Sequence, residues 1–355
     1  IGSGLVGSEM CIRDRYIRDT KDMLMAGKTL PGVYGASSPR MNVADLRTKG
    51  WEASITWGDS FTLASKPFNY RIMAGIGDNT SKVTKYDNPN RTLTDPYEGQ
   101  QLGEIWGYVV DGYFKTDEEA RNYKVDQSFV NQMINASALD NGLHAGDLKF
   151  VDLDGNNKIE QTTSANDRKD MKVIGNSLPR YNYNFGISAD WYGIDFSVLF
   201  QGIGKQNWYP GAETSMFWGP YSRPYASFIP SDFMSQVWSE ENTDAYFPRP
   251  RGYVALGSNR ELAVVNTKYL QNLAYCRLKN LSIGYTLPDK WLSKIGFEKI
   301  RVYFSGENLL TFTKLHSDYI DPEQASASNS WKTSKSDANI YPWAKTYSFG
   351  VDITF

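Results

Sequence analysis

An Asp- and Asn-rich segment at residues 152–160 carries the clearest pattern for binding an ion. Side-chain oxygens recur at Asp152, Asp154 and Asn156, followed by the backbone carbonyl of Lys158 and the carboxylate of Glu160. Oxygen ligands that alternate along a tight loop are the donors that hard cations such as Ca²⁺ prefer. The segment therefore predicts a metal site, with calcium as the cofactor that suits it.

The pattern departs from the EF-hand loop at two positions. Asn157 stands where that loop has Gly, and Thr163 stands where it has Glu. Asp167 or Asp170 could supply the late carboxylate from a longer loop. The alternative interpretation is a turn that needs no ion, because Asp, Asn and Gly also favour ordinary turns.

A long segment between residues 208 and 253 is dense in aromatic side chains and also contains arginines. Aromatic faces with polar edges suit sugar rings, which they bind by stacking and hydrogen bonds. We predict substrate-binding roles for Trp208, Trp218 and Tyr221. The alternative is that these rings pack the segment's own core or meet a partner protein.

The sequence offers little for catalysis. It has no Gly-x-Ser-x-Gly, no His-Glu-x-x-His and no Gly-Lys-Ser/Thr phosphate loop. Its two histidines, His144 and His316, lie far apart, and Cys276 fits a packing role in a strand. Glu240 and Glu241 are adjacent on one loop, which is more typical of a solvated turn than of a glycosidase pair. We predict a protein that is not an enzyme.

Charge and composition narrow the class of protein. Lys and Arg number 38 and Asp and Glu 40, so no basic field favours nucleic acid as a partner. No window of about 18 apolar residues predicts a membrane-spanning helix. The chain is nevertheless rich in aromatic residues, at 14%, which an ordinary soluble domain does not explain. Strands that alternate between apolar and polar residues, as in a transmembrane β-barrel, are compatible with all of this.

The elements that must position these residues are strands. The last residues alternate strictly, with one apolar face and one polar face. The apolar face holds Tyr347, Phe349, Val351, Ile353 and Phe355. One apolar and one polar face suit a strand between lipid and a wet lumen. They also suit a half-buried strand of a soluble sandwich.

Other segments repeat the alternation. Residues 181–204 predict a hairpin with a tight turn at Tyr192 and Gly193, and residues 51–57 and 70–76 predict two more strands. A further strand is predicted at 269–287, with a bulge near Cys276, and another at 301–310. A weaker strand is predicted at 105–114. The sequence predicts eight to ten strands in all.

Connections between the strands are unequal in length. Residues 115–139 could be helical in part, as could one turn near Lys290. The connections at 116–172 and 206–267 are long and irregular, whereas other turns are short. That asymmetry favours an outer-membrane barrel, which has short periplasmic turns and long extracellular loops.

Several motifs in series resemble one family, the SusC/RagA group of TonB-dependent outer-membrane transporters of Bacteroidetes. They are PGVYGASSP at 31–39, GDLKFVDLDG at 146–155, IGNSLP at 174–179, RLKNLSIGYTLP at 277–288 and SGENLLTFT at 305–313. The final strand also resembles the Gly-x-x-apolar-x-aromatic end of outer-membrane barrels, at Gly350, Ile353 and Phe355.

The resemblance implies an all-β fold, an antiparallel transmembrane β-barrel of which residues 16–355 are the C-terminal part. It implies import of glycans or peptides with a SusD-like surface lipoprotein, in contact with outer-membrane lipid. TonB would act only through the plug and N-terminal part, which this sequence does not contain. Eight to ten strands cannot close a barrel of 22, so we expect a fragment that does not transport alone.

Three alternatives stay open at this stage: a secreted soluble β-sandwich that binds carbohydrate, a transporter for a metal chelate, and a surface-loop hydrolase. Residues 1–15 resemble sequencing-adapter read-through, so we expect a non-native or disordered tail there.

Overall fold

The computed structural model describes residues 7–27, 33, 35, 39–131, 142–222, 229–250, 253–257, 260–292, 296–325, 335–336 and 341–355. Its strands in chain order are β1 Gly7–Ala26, β2 Arg40–Leu63, β3 Lys66–Lys85, β4 Glu104–Tyr108, β5 Val110–Tyr113, β6 Leu148–Phe150, β7 Met171–Asn176, β8 Arg180–Trp191, β9 Ile194–Lys205, β10 Asn207–Pro210, β11 Gln271–Asn272, β12 Tyr275–Thr286, β13 Lys299–Thr313, β14 Lys335–Ser336 and β15 Thr346–Thr354. The short helices are α1 Asp117–Arg121, α2 Ser128–Asn131, α3 Ser215–Trp218 and α4 Asp289–Leu292.

Eight long strands form one antiparallel sheet in the order β1-β2-β3-β8-β9-β12-β13-β15. Every neighbouring pair is antiparallel, and β1 and β15 stand at the two edges. Strands β8 and β9 are joined by Tyr192 and Gly193, both at positive φ (51° and 84°), the conformation that tight hairpin turns require. The predicted all-β fold, a partial barrel of eight to ten strands, is confirmed.

The sheet has one apolar face and one polar face. Phe185 of β8 stacks on Phe200 of β9, with ring centroids 4.8 Å apart, and Ile187 opposes Val198 on the same face. The same face continues along β15, where Phe349 is 83% exposed. No second layer of the described residues covers this face. The sandwich alternative requires such a layer, so the described structure does not favour it. We call it the outward face and the opposite face the inward face.

Short and long connections lie at opposite ends of the sheet. Residues 64–65, 192–193 and 287–298 join strands at one end, which we call the turn end. At the other, the loop end, residues 86–179 and 206–274 are the longest connections. The chain therefore has the asymmetry that its sequence predicts. Among the described residues, no helix is both long and apolar enough to cross a membrane.

The long connections pack together into a layer at the loop end, which we call the loop layer. Its hydrophobic core contains side chains from all three long connections: residues 86–179, residues 206–274 and the segment between β13 and β15. Examples are Phe150, Trp218, Phe247, Tyr269 and Ile320, all buried. The main core of the molecule thus lies in its loops, whereas the sheet buries little.

Two local predictions differ from the structure. The weak strand expected at 105–114 is split into β4 and β5, which pair with β7 and β6 in the loop layer and not with the main sheet. The bulge expected near Cys276 lies slightly further on, between Leu278 and Asn280, where the register shifts against both neighbouring strands. The tendency for helix at 115–139 appears as α1 and α2; residues 132–141 lie outside the described residues.

In the first half of β1, polar and apolar residues lie on the opposite faces from those of the neighbouring strand β2. Arg13 and Arg15 pair with Ala53 and Trp51, so they lie on the outward face. Ile12, by contrast, pairs with Ser54 on the inward face. Residues 7–15 therefore occupy a strand, although they do not show the alternation of the other strands. That residues 1–15 are not native to the protein remains a prediction.

Candidate functional site

The loop that contains the predicted metal ligands is folded by its own side chains. Both carboxylate oxygens of Asp152 accept backbone N–H groups, from Gly155 and Asn157, at 2.7 Å each. Asn157 has φ 61°, the left-handed region in which the matching EF-hand position carries Gly. Asn is the residue that best replaces Gly there, because it tolerates this conformation. The sequence departure at this position therefore does not disturb the loop.

Asp170 joins this loop from outside the segment. Oxygen atoms of Asp152, Asp154 and Asp170 lie within 4.8 Å of one another. Asp170 is fully buried, and its carboxylate accepts the backbone N–H groups of Leu153 (2.9 Å) and Glu160 (2.7 Å). Burial raises the pKa of the Asp170 carboxyl, the two backbone N–H groups lower it, and Asp154 and Asp152 raise it further. Three carboxylates so close are a donor set that fits a hard divalent cation.

The remaining predicted ligands face other partners. Asn156 donates its amide to Asp154 and Glu160, at 3.2 Å each, and its Oδ1 accepts the N–H of Lys158. Glu160 also pairs with Lys169 at 3.3 Å. The structure thus brings Asp152 and Asp154 together with Asp170. The side chains of Asn156 and Glu160 are engaged with other residues, and the contact of Lys158 is made by its N–H and not by the carbonyl predicted as a ligand.

The three aromatic residues predicted to bind substrate lie inside the loop layer. Trp208 and Trp218 have no exposed surface, and Tyr221 has 1%. Trp218 donates its indole N–H to the carbonyl of Gly211, and Tyr221 donates its hydroxyl to the carbonyl of Pro248. Other rings pack against two of them: Phe217 makes an edge-to-face contact with Trp218, and Phe247 stacks on Tyr221. Packing in the core of their own segment is the alternative that the sequence analysis gave for these rings. That Trp208, Trp218 or Tyr221 contacts a ligand directly stays a prediction.

A partly exposed aromatic group that sequence reasoning missed lies nearby in the same layer. His316 stacks on Tyr246 with ring centroids 3.5 Å apart and contacts Gln236 at 2.8 Å. Lys268 lies over the rings of Tyr113 and Tyr246, at 4.8 and 5.6 Å. Burial lowers the pKa of His316, with nearby Lys268 acting in the same direction and Asp318 against it. No spacing in the sequence could have shown this, because the residues come from distant segments.

The inward face carries charged and polar side chains and contains a groove. Near the turn end, Arg301 of β13 donates to Asp195 of β9 at 2.6 and 2.9 Å and to Asp352 of β15 at 3.1 Å. A groove of about 600 Å³ lies beside this cluster, with Asn69 and Arg71 among its lining residues. Charged side chains on this face and apolar ones on the other are what a wet lumen and a lipid exterior require.

Comparison with known proteins agrees with this architecture. No family model matches the chain. It is 27% identical over 361 residues to TonB-dependent receptor P3 of Formosa agariphila, a match that covers 96% of this chain and 32% of that receptor. It is 22% identical over 344 residues to the TonB-dependent receptor SusC of Bacteroides thetaiotaomicron, which covers 96% of this chain and 30% of SusC.

Solved structures share the fold. A chain of the RagAB peptide transporter matches with a TM-score of 0.65 and 21% identity, covering 98% of this chain and 33% of that one. A chain of the RagAB peptide importer in its open-open state matches with a TM-score of 0.67 and 20% identity, again covering 98% of this chain and 33% of that one. The chain spans about a third of the length of the relatives it matches.

These matches confirm the predicted relationship to TonB-dependent receptors of the SusC/RagA type, and the relatives are named as receptors and transporters, not as enzymes. The outer-membrane location predicted for the chain is that of this class.

Proposed function

We propose that this chain forms the C-terminal part of the wall and external loops of a TonB-dependent importer in the bacterial outer membrane. One observation carries the proposal: a single open antiparallel sheet has an exposed apolar face, a polar face and all its long connections at one end. Open sheet edges are not tolerated in lipid, so β1 and β15 need further strands to pair with. The importer is therefore the larger protein that contains this chain.

The cargo we propose is a glycan, an oligosaccharide or a peptide, delivered with a SusD-like lipoprotein docked on the loop layer. The support is the similarity to SusC and the fold shared with a chain of the RagAB peptide importer. TonB would supply energy through the part of the receptor outside this chain. The loop layer suits the lipoprotein because it encloses a hydrophobic core of its own, which supports a defined outer surface.

Uptake by cells tests this function. Cells with and without the gene for the complete receptor are given labelled oligosaccharides and labelled oligopeptides in separate panels, with a TonB-deficient strain alongside. We expect uptake of at least one compound to require both the receptor and TonB. Uptake of every compound that is unaffected by loss of the receptor would contradict the proposal.

We also propose that the loop formed by residues 152–160 binds Ca²⁺, with Asp152, Asp154 and Asp170 as carboxylate ligands. Asn156 and Glu160 would add oxygen donors by exchanging their present contacts for the ion, and the Lys158 carbonyl would add another. What supports this is the close approach of three carboxylates. Mutual repulsion of such carboxylates is relieved when a divalent cation binds among them. The bound ion would fix the loop in the layer above the lumen and has no catalytic role.

A further inference from the structure

Three basic residues lie on the outward face just beyond its apolar band. Arg47 and Lys49 belong to β2, and Lys82 belongs to β3, where it pairs directly with Arg47. Residues that pair across antiparallel strands point to the same side of the sheet, and alternate residues along a strand share that side. The register from Ala53 through Trp51 to Lys49 and Arg47 contains no shift, so all four lie on the outward face.

The charges of this basic group are only partly balanced. Arg47 and Lys82 oppose each other directly, which is unfavourable for like charges. Arg47 pairs with Asp19 of β1 through two bonds of 2.7 and 2.9 Å. Lys49 and Lys82 are exposed and have no carboxylate within 4.0 Å among the described residues.

The same residues line a groove of about 460 Å³ on the outside of the sheet, which Glu98 also borders. The groove is thus walled by three cations and one carboxylate, with Asp19 already committed to Arg47. An anion in this groove would relieve the repulsion between Arg47 and Lys82.

The position of the groove selects the kind of anion. Lys49 lies two residues beyond Trp51, or about 7 Å along the strand at the usual rise. Below Trp51 the outward faces of β2 and β3 are apolar, with Ala53 and Ile55 on β2 and Ile76 on β3. On the neighbouring β1, Arg13 and Arg15 also face outward, and both belong to residues 1–15, which the sequence predicts to be non-native. Aromatic residues mark the membrane interface in barrels, and the phosphates of a lipid leaflet lie just outside the hydrocarbon. The basic group is at the loop end, so the leaflet is the external one.

We infer that Arg47, Lys49 and Lys82 form a binding site for the phosphate of a lipid headgroup in the external leaflet. Basic groups of this kind just outside the hydrocarbon attract anionic headgroups. The site holds one phosphorylated lipid against β2 and β3. This contact fixes the depth of the two strands in the membrane. This inference rests on the proposed membrane location of the sheet.

Native mass spectrometry of the complete receptor in detergent tests the site. The receptor is exchanged into detergent with added lipid A bisphosphate, and the bound lipid is counted for the unmodified receptor and for the double variant Lys49→Gln/Lys82→Gln. The matched control is Lys66→Gln/Lys290→Gln, which removes two exposed lysines at the turn end. Dephosphorylated lipid A and inorganic phosphate serve as separate probes.

We expect the double variant to bind lipid A bisphosphate about thirtyfold more weakly, the loss expected of two lysines at a membrane surface, and the control variant to be unchanged. Equal loss in the control, no loss in the double variant, or equal binding of dephosphorylated lipid would each overturn the inference. Competition by inorganic phosphate at equal concentration would show a free-anion site and also overturn it.

A second measurement separates this inference from the proposed function. Brominated acyl chains should quench Trp57 fluorescence in both the unmodified and the variant receptor, because Trp57 lies on the outward face within the apolar band. Quenching with no effect of the lysine substitutions would leave the membrane location standing and remove only the lipid site.

Discussion

The guanidinium Nη2 of Arg277 lies 2.6 Å from Oδ1 of Asp321, and only 3% and 5% of the two side chains are exposed. Arg277 is on the inward face of β12, whereas Asp321 lies in the connection between β13 and β15. Asp321 also accepts the N–H groups of Glu323 and Trp343. This ion pair therefore fastens both ends of the last long loop to the barrel wall.

Breaking this pair should free the loop. In Asp321→Asn, Arg277 keeps Glu323 but loses its buried partner, and removal of one member of a buried pair costs about 3–5 kcal/mol. We expect hydrogen exchange of residues 314–325 to rise steeply, with exchange in β13 unchanged. Asp318→Asn, on the exposed side of the same loop, is the control. Equal exchange in both variants would show that the pair does not anchor the loop.

Calcium binding should depend on Asp170. We expect Asp170→Asn and Asp152→Asn to abolish binding of ⁴⁵Ca²⁺ to the complete receptor, whereas Asp167→Asn, outside the cluster, leaves it intact. Because burial raises the pKa of Asp170, protons compete with the ion, and affinity should fall as the pH drops through that raised value. Binding that is insensitive to both substitutions would remove this site.

Trp218 should behave as a core residue of the loop layer. Trp218→Ala removes a fully buried ring and should lower the free energy of local opening by about 3–5 kcal/mol, measured by hydrogen exchange at residues 233–247. The exposed Trp291 gives the matched control, and Trp291→Ala should leave that exchange unchanged. If Trp218→Ala impairs cargo binding while exchange stays normal, the ring contacts ligand directly and the core role is wrong.

The loop layer should loosen in acid because of His316. Its pKa is lower in the folded protein than in the unfolded chain, so the unfolded chain binds the proton first. The contribution of His316 to stability is thus complete above the unfolded pKa of 6.5 and is lost as the pH falls through the folded value. We expect the free energy of local opening at residues 236–247 to decrease between pH 7.5 and 5, after correction for intrinsic exchange rates.

His316→Phe keeps a ring against Tyr246 but cannot be protonated. This variant should lose the part of the pH dependence that His316 supplies. An unchanged pH profile in the variant would show that groups other than His316 govern the effect.

Strand patterns predicted most of the sheet, because the long strands other than β1 carry their apolar residues mainly on one face, with a period of two. The hairpin at Tyr192 and Gly193 and the alternation ending at Phe355 are examples. The loop layer could not be predicted in the same way. Trp208, Trp218 and Tyr221 form a core only because segments far apart in the chain converge, and local spacing does not encode that convergence. The sequence left Asp167 and Asp170 as equal candidates for the late carboxylate. Only the folded loop shows that Asp170 is the one that joins Asp152 and Asp154.

The lipid exposure of the outward face is tested most directly by spin labels along β15. Single cysteines placed at Ser348, Phe349, Gly350 and Val351, in a receptor with Cys11 and Cys276 replaced by Ser, are labelled and reconstituted in bilayers. We expect high oxygen and low nickel-chelate accessibility at 349 and 351, and the reverse at 348 and 350. Equal accessibility at all four positions, or high nickel-chelate accessibility at 349 and 351, would contradict a lipid-facing wall.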